Sequence, residues 1–522
     1  MPLQATHLAL ETLESRLVPA VYEVGPGHAF AALHDVPWSD LGAGDTVLVF
    51  WQAAAYHDKI TINHGGSVAH PLTIEGVAGP NHELPVVEAD GAVENPDASY
   101  PNSVFGNVGL FTVMPGATGT HVSHVTISGL ELVGATRDAT FTDYSGELQN
   151  YGWGSAGVAL YDADHVTITN CIIHGCENGI FGKSQGYTEG DLHHITVDGS
   201  WIYGNGLAGS DRAHNTYIEG AYTLYQFDTY GPLIDGAGGA TNLSDRGVGT
   251  IVRYCNITGG SHALQLIEPD DGAPSLDALP GFGTEWVYGN IIVNPDGNDS
   301  STLIQFGTVF DGPIGQRKLW FYDNTVVSYN DQPAGGRWYT YVFTGSGDVT
   351  IHALNNIFDS VSPNPDDWSG EFYLATGSYG TTTVALGVNW APSWFQQGTD
   401  TVRGWQKLVL GDDPGFIDVL AGNYALLPDS PCIGVARSPN VDDDLHRAVK
   451  HQFDSTANDW VQRTSINDLG AEEYADSTGP ASGSHNDWQA LAVALPHVVT
   501  GSLARGDTTN VVDMLASAGL LV

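Results

Sequence analysis

The chain has 522 residues, with 65 glycines, 26 prolines and 10% aromatic residues, but only 15% charged residues. This composition is typical of a turn-rich β protein and excludes a disordered or a mostly helical chain. Sixty acidic residues stand against 17 basic residues, for a formal net charge of −43, which argues against nucleic-acid binding because phosphate contacts need clustered Lys and Arg.

The first twenty residues form the first predicted segment. They contain the string Leu10-Glu11-Thr12-Leu13-Glu14-Ser15-Arg16-Leu17-Val18-Pro19-Ala20 and lack the charged and apolar regions of an ordinary signal peptide. The string resembles the leader of exported planctomycete proteins, whose pattern is Leu-Glu-x-Leu-Glu-x-Arg-x-x-Pro-Ala. The resemblance implies an export leader over residues 1–20 and a secreted or cell-surface protein. A short amphipathic helix on the first coil is the alternative interpretation.

The next part of the chain predicts a cap and opening coils. A helix-like stretch around His28–Leu33 follows Val24-Gly25-Pro26-Gly27, and short apolar strands come after it. A terminal helix would cover the open end of a stacked β core and block edge pairing there.

An internal repeat dominates the centre of the chain. Asn290, Asn324, Asn356 and Asn389 each precede or follow short alternating apolar strands, and they recur about every 33 residues, in the range of solenoid repeats. Earlier segments fit the same frame with other small anchors, namely Cys171, Ser200 and Cys255. The anchor occurs once per repeat at one strand-to-turn corner, which disfavours the alternative of a β-propeller with blades of about 40 residues.

This repeat predicts the fold class. An inward asparagine can satisfy the backbone of a bend, and stacking one coil on the next places such amides in a ladder at about 4.8 Å spacing. No single coil can bury its apolar face, so only a stack is stable. We therefore predict an all-β, single-stranded, right-handed parallel β-helix over residues 21–474, monomeric because a capped solenoid leaves no open edge.

The end of the chain predicts closure and a tail. Asn423–Leu426, Ser430–Ile433 and Asp468–Ala471 are expected to form closing coils. Residues 475–486 have the composition of a flexible linker, and residues 487–522 are predicted to form a helical tail. The four cysteines are expected to be buried thiols, with Cys171 and Cys176 the pair close enough in sequence to form a disulfide. No run of 18 apolar residues predicts a membrane span.

Several strings together resemble the pectate-lyase-like right-handed β-helix family of bacteria, whose members degrade polysaccharides. They span roughly residues 21 to 474 and are Val24-Gly25-Pro26-Gly27, Gly44-Asp45-Thr46-Val47, His214-Asn215-Thr216-Tyr217, Asp245-Arg246-Gly247, Ile251-Val252-Arg253-Tyr254 and Asn355-Asn356-Ile357. The resemblance implies a secreted lyase that cleaves an acidic polysaccharide by β-elimination in a groove on the helix. Relatives carry Lys-x-Arg or Lys-Asp-Arg before the strand at Ile251, whereas Ser244 holds the lysine position here.

The chemistry of a lyase selects three candidate catalytic residues. His214 suits proton transfer near neutral pH, and Arg246 suits a bidentate grip on a carboxylate because guanidinium resists deprotonation. Tyr217 is expected near the leaving oxygen. With the lysine absent, His214 or Arg246 has to take more of the work. Both His214 and Asp245-Arg246 also allow purely structural interpretations, as a turn and a surface ion pair.

Further residues are candidates for binding. Substrate contacts are predicted for Lys183, Arg212, Asn215, Asp245, Arg253 and His262. Glu219 and Glu268 are candidate ligands for Ca²⁺, which prefers carboxylate oxygens and is the one cofactor that the composition suggests. The net charge disfavours an acidic substrate unless Ca²⁺ or a local basic groove compensates.

Two alternatives remain open. A glycoside hydrolase would use two carboxylates from Asp211, Glu219, Asp245 and Glu268, and their separation would set the stereochemistry. A noncatalytic surface or carbohydrate-binding protein would use exposed aromatic rings for stacking on sugars. The candidates for such rings are Trp51, Trp153, Trp201, Trp286, Trp320 and Trp338.

Overall fold

The structure is a computed structural model. It describes residues 19–96, 106–116, 121–184, 192–270, 276–294, 301–309, 316–329, 338–361, 370–378, 380–398, 401–438, 448–455 and 459–474. The predicted leader lies almost entirely outside the described residues, and the predicted linker and helical tail lie wholly outside them.

The described residues form three long sheets, with strands numbered here in chain order. Sheet I has 13 strands: β1 (Val21–Val24), β2 (Thr46–Phe50), β4 (Leu72–Val77), β8 (Val122–Ser128), β13 (Ala163–Thr169), β16 (Thr196–Asp198), β19 (Leu224–Gln226), β22 (Ile251–Arg253), β25 (Thr284–Tyr288), β28 (Arg317–Tyr322), β31 (Val349–Leu354), β34 (Thr382–Leu386) and β37 (Thr401–Arg403). Sheet II has 14 strands: β3 (Asp58–Ile62), β6 (Ala92–Glu94), β7 (Gly109–Val113), β10 (Thr140–Thr142), β11 (Leu148–Asn150), β12 (Ala156–Tyr161), β15 (Asn178–Lys183), β18 (Thr216–Glu219), β21 (Leu243–Asp245), β24 (Leu264–Ile267), β27 (Ser301–Gly307), β30 (Trp338–Ser346), β33 (Gly370–Gly377) and β36 (Gln396–Gly398). Sheet III has 11 strands: β5 (Val86–Glu88), β9 (Glu131–Val133), β14 (Ile172–His174), β17 (Trp201–Tyr203), β20 (Thr229–Tyr230), β23 (Asn256–Thr258), β26 (Ile291–Asn294), β29 (Thr325–Tyr329), β32 (Ile357–Val361), β35 (Asn389–Pro392) and β38 (Leu408–Gly411).

Each coil passes through sheet II, then sheet I, then sheet III, as β12, β13 and β14 do. Neighbouring strands are parallel throughout the three sheets except in the β10–β11 pair. Side chains alternate, so that Val166 and Ile168 are buried in the core between the sheets while Thr167 faces outward. The predicted parallel β-helix is confirmed, and a propeller is excluded because each sheet collects one strand from every successive coil.

The predicted asparagine ladder is confirmed at the corner before sheet III. Asn290 Nδ2 donates to Asn324 Oδ1 at 3.0 Å, Asn324 Nδ2 donates to Asn356 Oδ1 at 3.0 Å, and Asn356 Nδ2 donates to Asn389 Oδ1 at 2.8 Å. The backbone N–H of Cys255 joins the ladder by donating to Asn290 Oδ1 at 2.8 Å. All four amides are buried, so the ladder supplies hydrogen bonds that water cannot reach.

One rung of this ladder was not predicted. The coil containing β19 and β20 carries Asp228 at the anchor position, and its Oδ1 accepts the backbone N–H of Ser200 at 2.9 Å. Burial raises the pKa of Asp228 well above its ordinary value. The carboxyl group has the shape of an asparagine amide and supplies the same acceptor to the preceding coil, which explains how it replaces one here.

The predicted helix over His28–Leu33 is wrong. The structure has two short 3₁₀ turns instead, at Leu33–Asp35 and Trp38–Asp40, and their side chains Leu33 and Trp38 are buried in the main core. Gly25 and Gly27 precede this stretch and Pro37 follows it, which leaves too few residues between them for a stable α-helix.

The predicted closing coils at the far end are also wrong. Beyond β38 the chain forms two antiparallel pairs, β39 (Phe416–Asp418) with β40 (Asn423–Leu426), and β41 (His451–Asp454) with β42 (Asp459–Gln462). A 3₁₀ turn at Val419–Ala421 connects β39 to β40. A further 3₁₀ turn at Trp405–Lys407 precedes β38. Trp460 packs edge-on against Phe227 at 5.7 Å, and the Gly470 N–H donates to the Asn355 carbonyl at 2.7 Å. The segment therefore runs back along the outside of the coils and packs against outward aromatic rings such as Phe227.

The four cysteines are free and buried, so the possible Cys171–Cys176 disulfide does not form. Among the described residues, no helix is long and apolar enough to cross a membrane.

Candidate functional site

The outer face of sheet II presents its side chains in rows along the helix axis, because its strands pair in parallel register. We call one set the middle row: Phe181, Tyr217, Ser244, Gln265, Gln305 and Thr344. From Tyr217 onward, each residue of the middle row follows two residues that face inward. The residue three positions before each of them in sequence therefore faces outward as well. This first row comprises His214, Thr241, His262, Thr302 and Tyr341.

The middle row is a ladder of hydroxyl and amide groups. Ser244 Oγ donates to Gln265 Oε1 at 2.7 Å, and Gln265 Nε2 donates to Gln305 Oε1 at 2.5 Å. Thr344 Oγ1 joins the two rows by donating to Thr302 Oγ1 at 2.8 Å. Both rows consist of neutral or aromatic residues and histidines, without a carboxylate, in a chain whose net charge is −43. Gln265, Gln305, Thr302 and Thr344 are half-buried, whereas Ser244 and Thr241 are buried. The half-buried members can therefore offer hydrogen bonds to sugar hydroxyls without repelling an anionic chain.

Aromatic rings occupy the end of the rows near β15. Phe181 and Tyr217 stack with ring centres 5.4 Å apart, and Tyr217 stacks on His214 at 5.7 Å. Trp153 is 58% exposed and meets Phe181 edge-on at 6.3 Å. This arrangement puts the predicted pair His214 and Tyr217 together, beside an exposed indole.

His214 is buried below the rings, and its burial determines its chemistry. Burial lowers the pKa of His214 to about 4, and the nearby charge of Arg246 lowers it further, against the raising influence of the Thr241 carbonyl and Asp211. Nδ1 lies 2.9 Å from the Thr241 carbonyl oxygen and 3.2 Å from the Thr241 N–H, two contacts that require opposite tautomers. The shorter contact favours a proton on Nδ1, which leaves Nε2 as a neutral acceptor at pH 7.

Arg246 lies in a third row, the charged row, with Lys183 and Glu219. Lys183 pairs in register with Glu219, and Arg246 follows the residue paired with Ile218. Arg246 Nη1 is 3.4 Å from Asp270 Oδ2, and the Asp270 N–H donates to Glu219 Oε1 at 2.9 Å. Arg246 and Glu219 are buried, whereas the Asp270 side chain is 48% exposed. The guanidinium is thus already paired with a carboxylate at the surface.

Two predicted substrate contacts point into the core instead. Asn215 Nδ2 donates to Asn242 Oδ1 at 2.7 Å and its Oδ1 accepts from Asn205 Nδ2 at 2.9 Å. Asp245 accepts hydrogen bonds from the hydroxyls of Tyr225 and Thr250 at 2.8 and 2.6 Å, and burial raises its pKa to about 7. The assignments of Asn215 and Asp245 to the substrate are therefore corrected, because both side chains point into the core and are hydrogen-bonded there.

Two predicted arginine contacts lie away from the rows. Arg253 is on β22 of sheet I, where Nη2 donates to Gln226 Oε1 at 2.6 Å and Nη1 donates to the Tyr288 hydroxyl at 3.1 Å. Arg212 is 76% exposed, and its Nε lies 4.0 Å from a carboxylate oxygen of its neighbour Asp211. Neither arginine is a member of the rows, because Arg253 belongs to sheet I and Arg212 to the connection before β18.

The last predicted contact, His262, lies on the same face of sheet II as His214. It lies in the first row, half-buried, and burial lowers its pKa to about 4.

The candidate metal ligands are engaged within the protein. Glu268 Oε1 accepts the Thr308 hydroxyl at 2.6 Å and the Val309 N–H at 2.9 Å, while Glu219 holds the backbone of Asp270. Across the part of the chain that the structure describes, no group of three or more His, Cys, Asp or Glu residues is arranged to hold a metal ion. These residues do not fit a Ca²⁺ site, so the chemistry below is derived without one, and calcium dependence stays a prediction.

Gln265 and Gln305, at the centre of the outer face of sheet II, were not predicted from the sequence. Each stands alone among apolar residues, in Leu264-Gln265-Leu266-Ile267 and Leu303-Ile304-Gln305-Phe306. A single polar residue at an outward position of a buried strand is the signal that could have found them.

Comparison with known proteins gives no match to any family model and no match among curated proteins. Among solved structures, the chain is similar to pectate lyase Pel9A, with 12% identity, 87% of this chain and 96% of that chain covered, and a TM-score of 0.43. It is also similar to a rhamnogalacturonan lyase, with 14% identity, coverage of 76% and 91%, and a TM-score of 0.39. DFA-IIIase from Arthrobacter chlorophenolicus A6 matches with 13% identity, coverage of 71% and 82%, and a TM-score of 0.35. At these identities and TM-scores, the similarities carry no argument about what this chain does.

Proposed function

We propose that this protein is a secreted polysaccharide-degrading enzyme that binds a sugar chain on the outer face of sheet II and cleaves it by β-elimination. One observation carries the proposal: two adjacent rows of hydroxyl, amide and aromatic side chains without a carboxylate, on a protein with 60 acidic residues. Such a surface suits a chain of hydroxyl-bearing rings, and it contains the predicted proton acceptor His214. Secretion rests on the leader string alone.

In the proposed reaction, Nε2 of His214 takes the proton from C5 of a uronate ring. The C5–H electrons form the C4=C5 double bond, the C4–O bond breaks, and the leaving oxygen takes a proton from water or from the Tyr217 hydroxyl. A neutral imidazole can accept a proton at pH 7, since its pKa is about 4. The low pKa makes it a weak base, so the reaction also needs the carboxylate to be neutralised.

Arg246 is the group proposed to neutralise the substrate carboxylate, and to do so it has to exchange Asp270 for the substrate. Its guanidinium pairs with Asp270 at the surface, and the substrate carboxylate would displace that side chain. A bidentate arginine–carboxylate contact is favourable when water is excluded. Asp270 and the substrate thus compete for one cation, which is expected to weaken binding of acidic chains.

The test is the ultraviolet absorbance of the unsaturated product on a panel of acidic polysaccharides, with and without added Ca²⁺. His214→Ala should reduce the rate at least about a hundredfold, whereas His165→Ala on sheet I, a 44% exposed histidine, should leave it unchanged. Asp270→Asn should raise the affinity for acidic chains by removing the carboxylate that competes with the substrate for Arg246. Absence of unsaturated product on every polymer would overturn the proposal.

A noncatalytic carbohydrate-binding protein is the second candidate. The burial of His214 and the pairing of Arg246 with Asp270 favour it, because both groups are already occupied within the protein. Binding without unsaturated product and without new reducing ends would establish this function. The hydrolase alternative has less support, since Asp245 points inward and Glu219 and Glu268 hold backbone N–H groups.

A further inference from the structure

Two exposed aromatic rings lie at the two ends of the part of sheet II that runs from β15 to β30; the sheet itself continues on both sides. Trp153 is 58% exposed beside β15, and Tyr339 at the start of β30 is 38% exposed. Each meets the nearest ring of the rows edge-on: Trp153 and Phe181 with an interplanar angle of 85°, Tyr339 and Tyr341 with 74°.

The orientation of these end rings differs from that of the rings inside the rows. Phe181 and Tyr217 stack at 15°, and Tyr341 stacks at 22° on Tyr373, its register partner on β33, so each ring covers a face of its neighbour. A ring turned edge-on to such a stack keeps its own faces out of it. Faces of exposed Trp and Tyr rings are the surfaces on which the apolar side of a sugar packs.

The distance between the two ends follows from the strand order. Sheet II runs from β15 through β18, β21, β24 and β27 to β30, which is five strand spacings or about 24 Å. Between the two rings, the buried Ser244 and the half-buried Gln265 and Gln305 form one continuous hydrogen-bonded line. The line is straight because the strands are in register, so it matches an extended ligand.

We infer that Trp153 and Tyr339 are the two end subsites of a single lane, which binds a linear glycan long enough to contact both rings. The inference rests on the proposed function in taking the outer face of sheet II as the sugar-binding face. It goes further by naming the ligand as a long, unbranched chain held through hydroxyl groups. A chain that reaches both rings makes the second contact intramolecularly, whereas a short oligosaccharide makes only one.

The test is binding of size-fractionated linear polygalacturonate and of a size-fractionated neutral linear β-glucan, measured by calorimetry on His214→Ala so that the ligand survives. Affinity for at least one polymer should rise with chain length and then level off. Trp153→Ala and Tyr339→Ala should each lower the affinity for the long fraction about tenfold, and each should abolish the dependence on length. Tyr339→Phe keeps the ring and should bind like the parent.

Trp320→Ala serves as the matched control, because that half-buried indole lies on sheet I, stacked on His352 at 4.2 Å. It should leave binding unchanged while circular dichroism confirms the fold of every variant. Affinity that is independent of length for both polymers, or an unchanged affinity in Tyr339→Ala, overturns the inference. Length-dependent binding without cleavage by the unmodified protein would overturn β-elimination alone, and cleavage with length-independent affinity would overturn the lane alone.

Discussion

Two amide ladders run along this molecule, one inside and one outside. In the inner ladder, Asn324 is buried, and its side chain bonds both neighbouring rungs and the Val287 carbonyl. In the outer ladder, Gln265 is half-buried and bonds Ser244 and Gln305. Both ladders consist of side-chain hydrogen bonds. Water can replace a lost partner in the outer ladder, whereas it cannot reach the inner ladder.

The difference teaches where stability and function lie on this fold. Loss of an inner rung leaves buried polar groups without partners, which is costly. Loss of an outer rung exposes groups that water or a ligand can satisfy. We therefore expect the inner ladder to determine folding and the outer ladder to determine binding. The predictions below test this division in order of decreasing effect.

The largest effect is expected from an interior charge. Arg317 pairs with Glu285 inside the coils and donates to the Gly307 carbonyl at 2.8 Å. Arg317→Met should lower the free energy of unfolding by about 4 kcal/mol because it leaves a buried carboxylate unpaired. Denaturant unfolding followed by circular dichroism measures the loss. Arg317→Met combined with Glu285→Leu should recover most of it, and failure to recover would assign the loss to packing.

The inner ladder comes next. Asn324→Ala should lower the free energy of unfolding by about 3 kcal/mol, since the Asn290 N–H and Nδ2 lose an acceptor and the Val287 carbonyl loses a donor. The same unfolding measurement applies. A loss as small as that of an exposed substitution would contradict the division between the two ladders.

A buried acid gives a smaller, pH-dependent effect. Burial raises the pKa of Asp245 to about 7, so between about pH 4 and 7 the folded state holds a proton that the unfolded state has lost. Its contribution to stability is complete at low pH and falls as the pH rises through 7, by about 1 kcal/mol between pH 6 and 8. Asp245→Asn should flatten this slope in unfolding curves recorded across that range. An unchanged slope would mean that other buried acids, such as Asp323 with a pKa of about 7, dominate it.

The smallest effect on stability is expected from the outer ladder. Gln265→Ala should change the free energy of unfolding by less than about 0.5 kcal/mol, because water can replace its partners. It should lower the affinity for a glycan severalfold by removing the central hydrogen bonds of the rows. Unfolding and calorimetric titration of this one variant measure both quantities. A large loss of stability with unchanged binding would reverse the roles assigned to the ladders.

The fold was predictable because its signal repeats. Asn290, Asn324, Asn356 and Asn389 stand at one corner of successive coils, and the same constraint recurs at each of them. The coil anchored by Asp228 was missed because a buried carboxyl group replaces the amide there. The C-terminal pairs were missed because their antiparallel strands follow no repeat and are held by contacts to Phe227 and Asn355 far away in sequence.

The candidate site was predictable only in part. His214 and Tyr217 were expected together and lie together, and His262 shares a row with His214. Asn215 and Asp245, adjacent in sequence to His214 and Arg246, point the opposite way. Asn215 points inward because two consecutive inward residues, Asn215 and Thr216, precede the outward Tyr217, whereas Asp245 points inward by simple alternation between Ser244 and Arg246. A shift of one residue moves a side chain from one face to the other.

By itself, the sequence determined the architecture: the period, the small inward anchors and the alternating apolar strands allow a stacked parallel coil and little else, because no single coil can bury its own apolar face. Tertiary structure alone decided which polar side chains face solvent, that Asp270 pairs with Arg246, and that Trp153 and Tyr339 each lie against a ring of the rows on sheet II. Those features depend on register between coils and on the corners of each coil. Contacts across tens of residues set them, and the local sequence carries no record of such contacts.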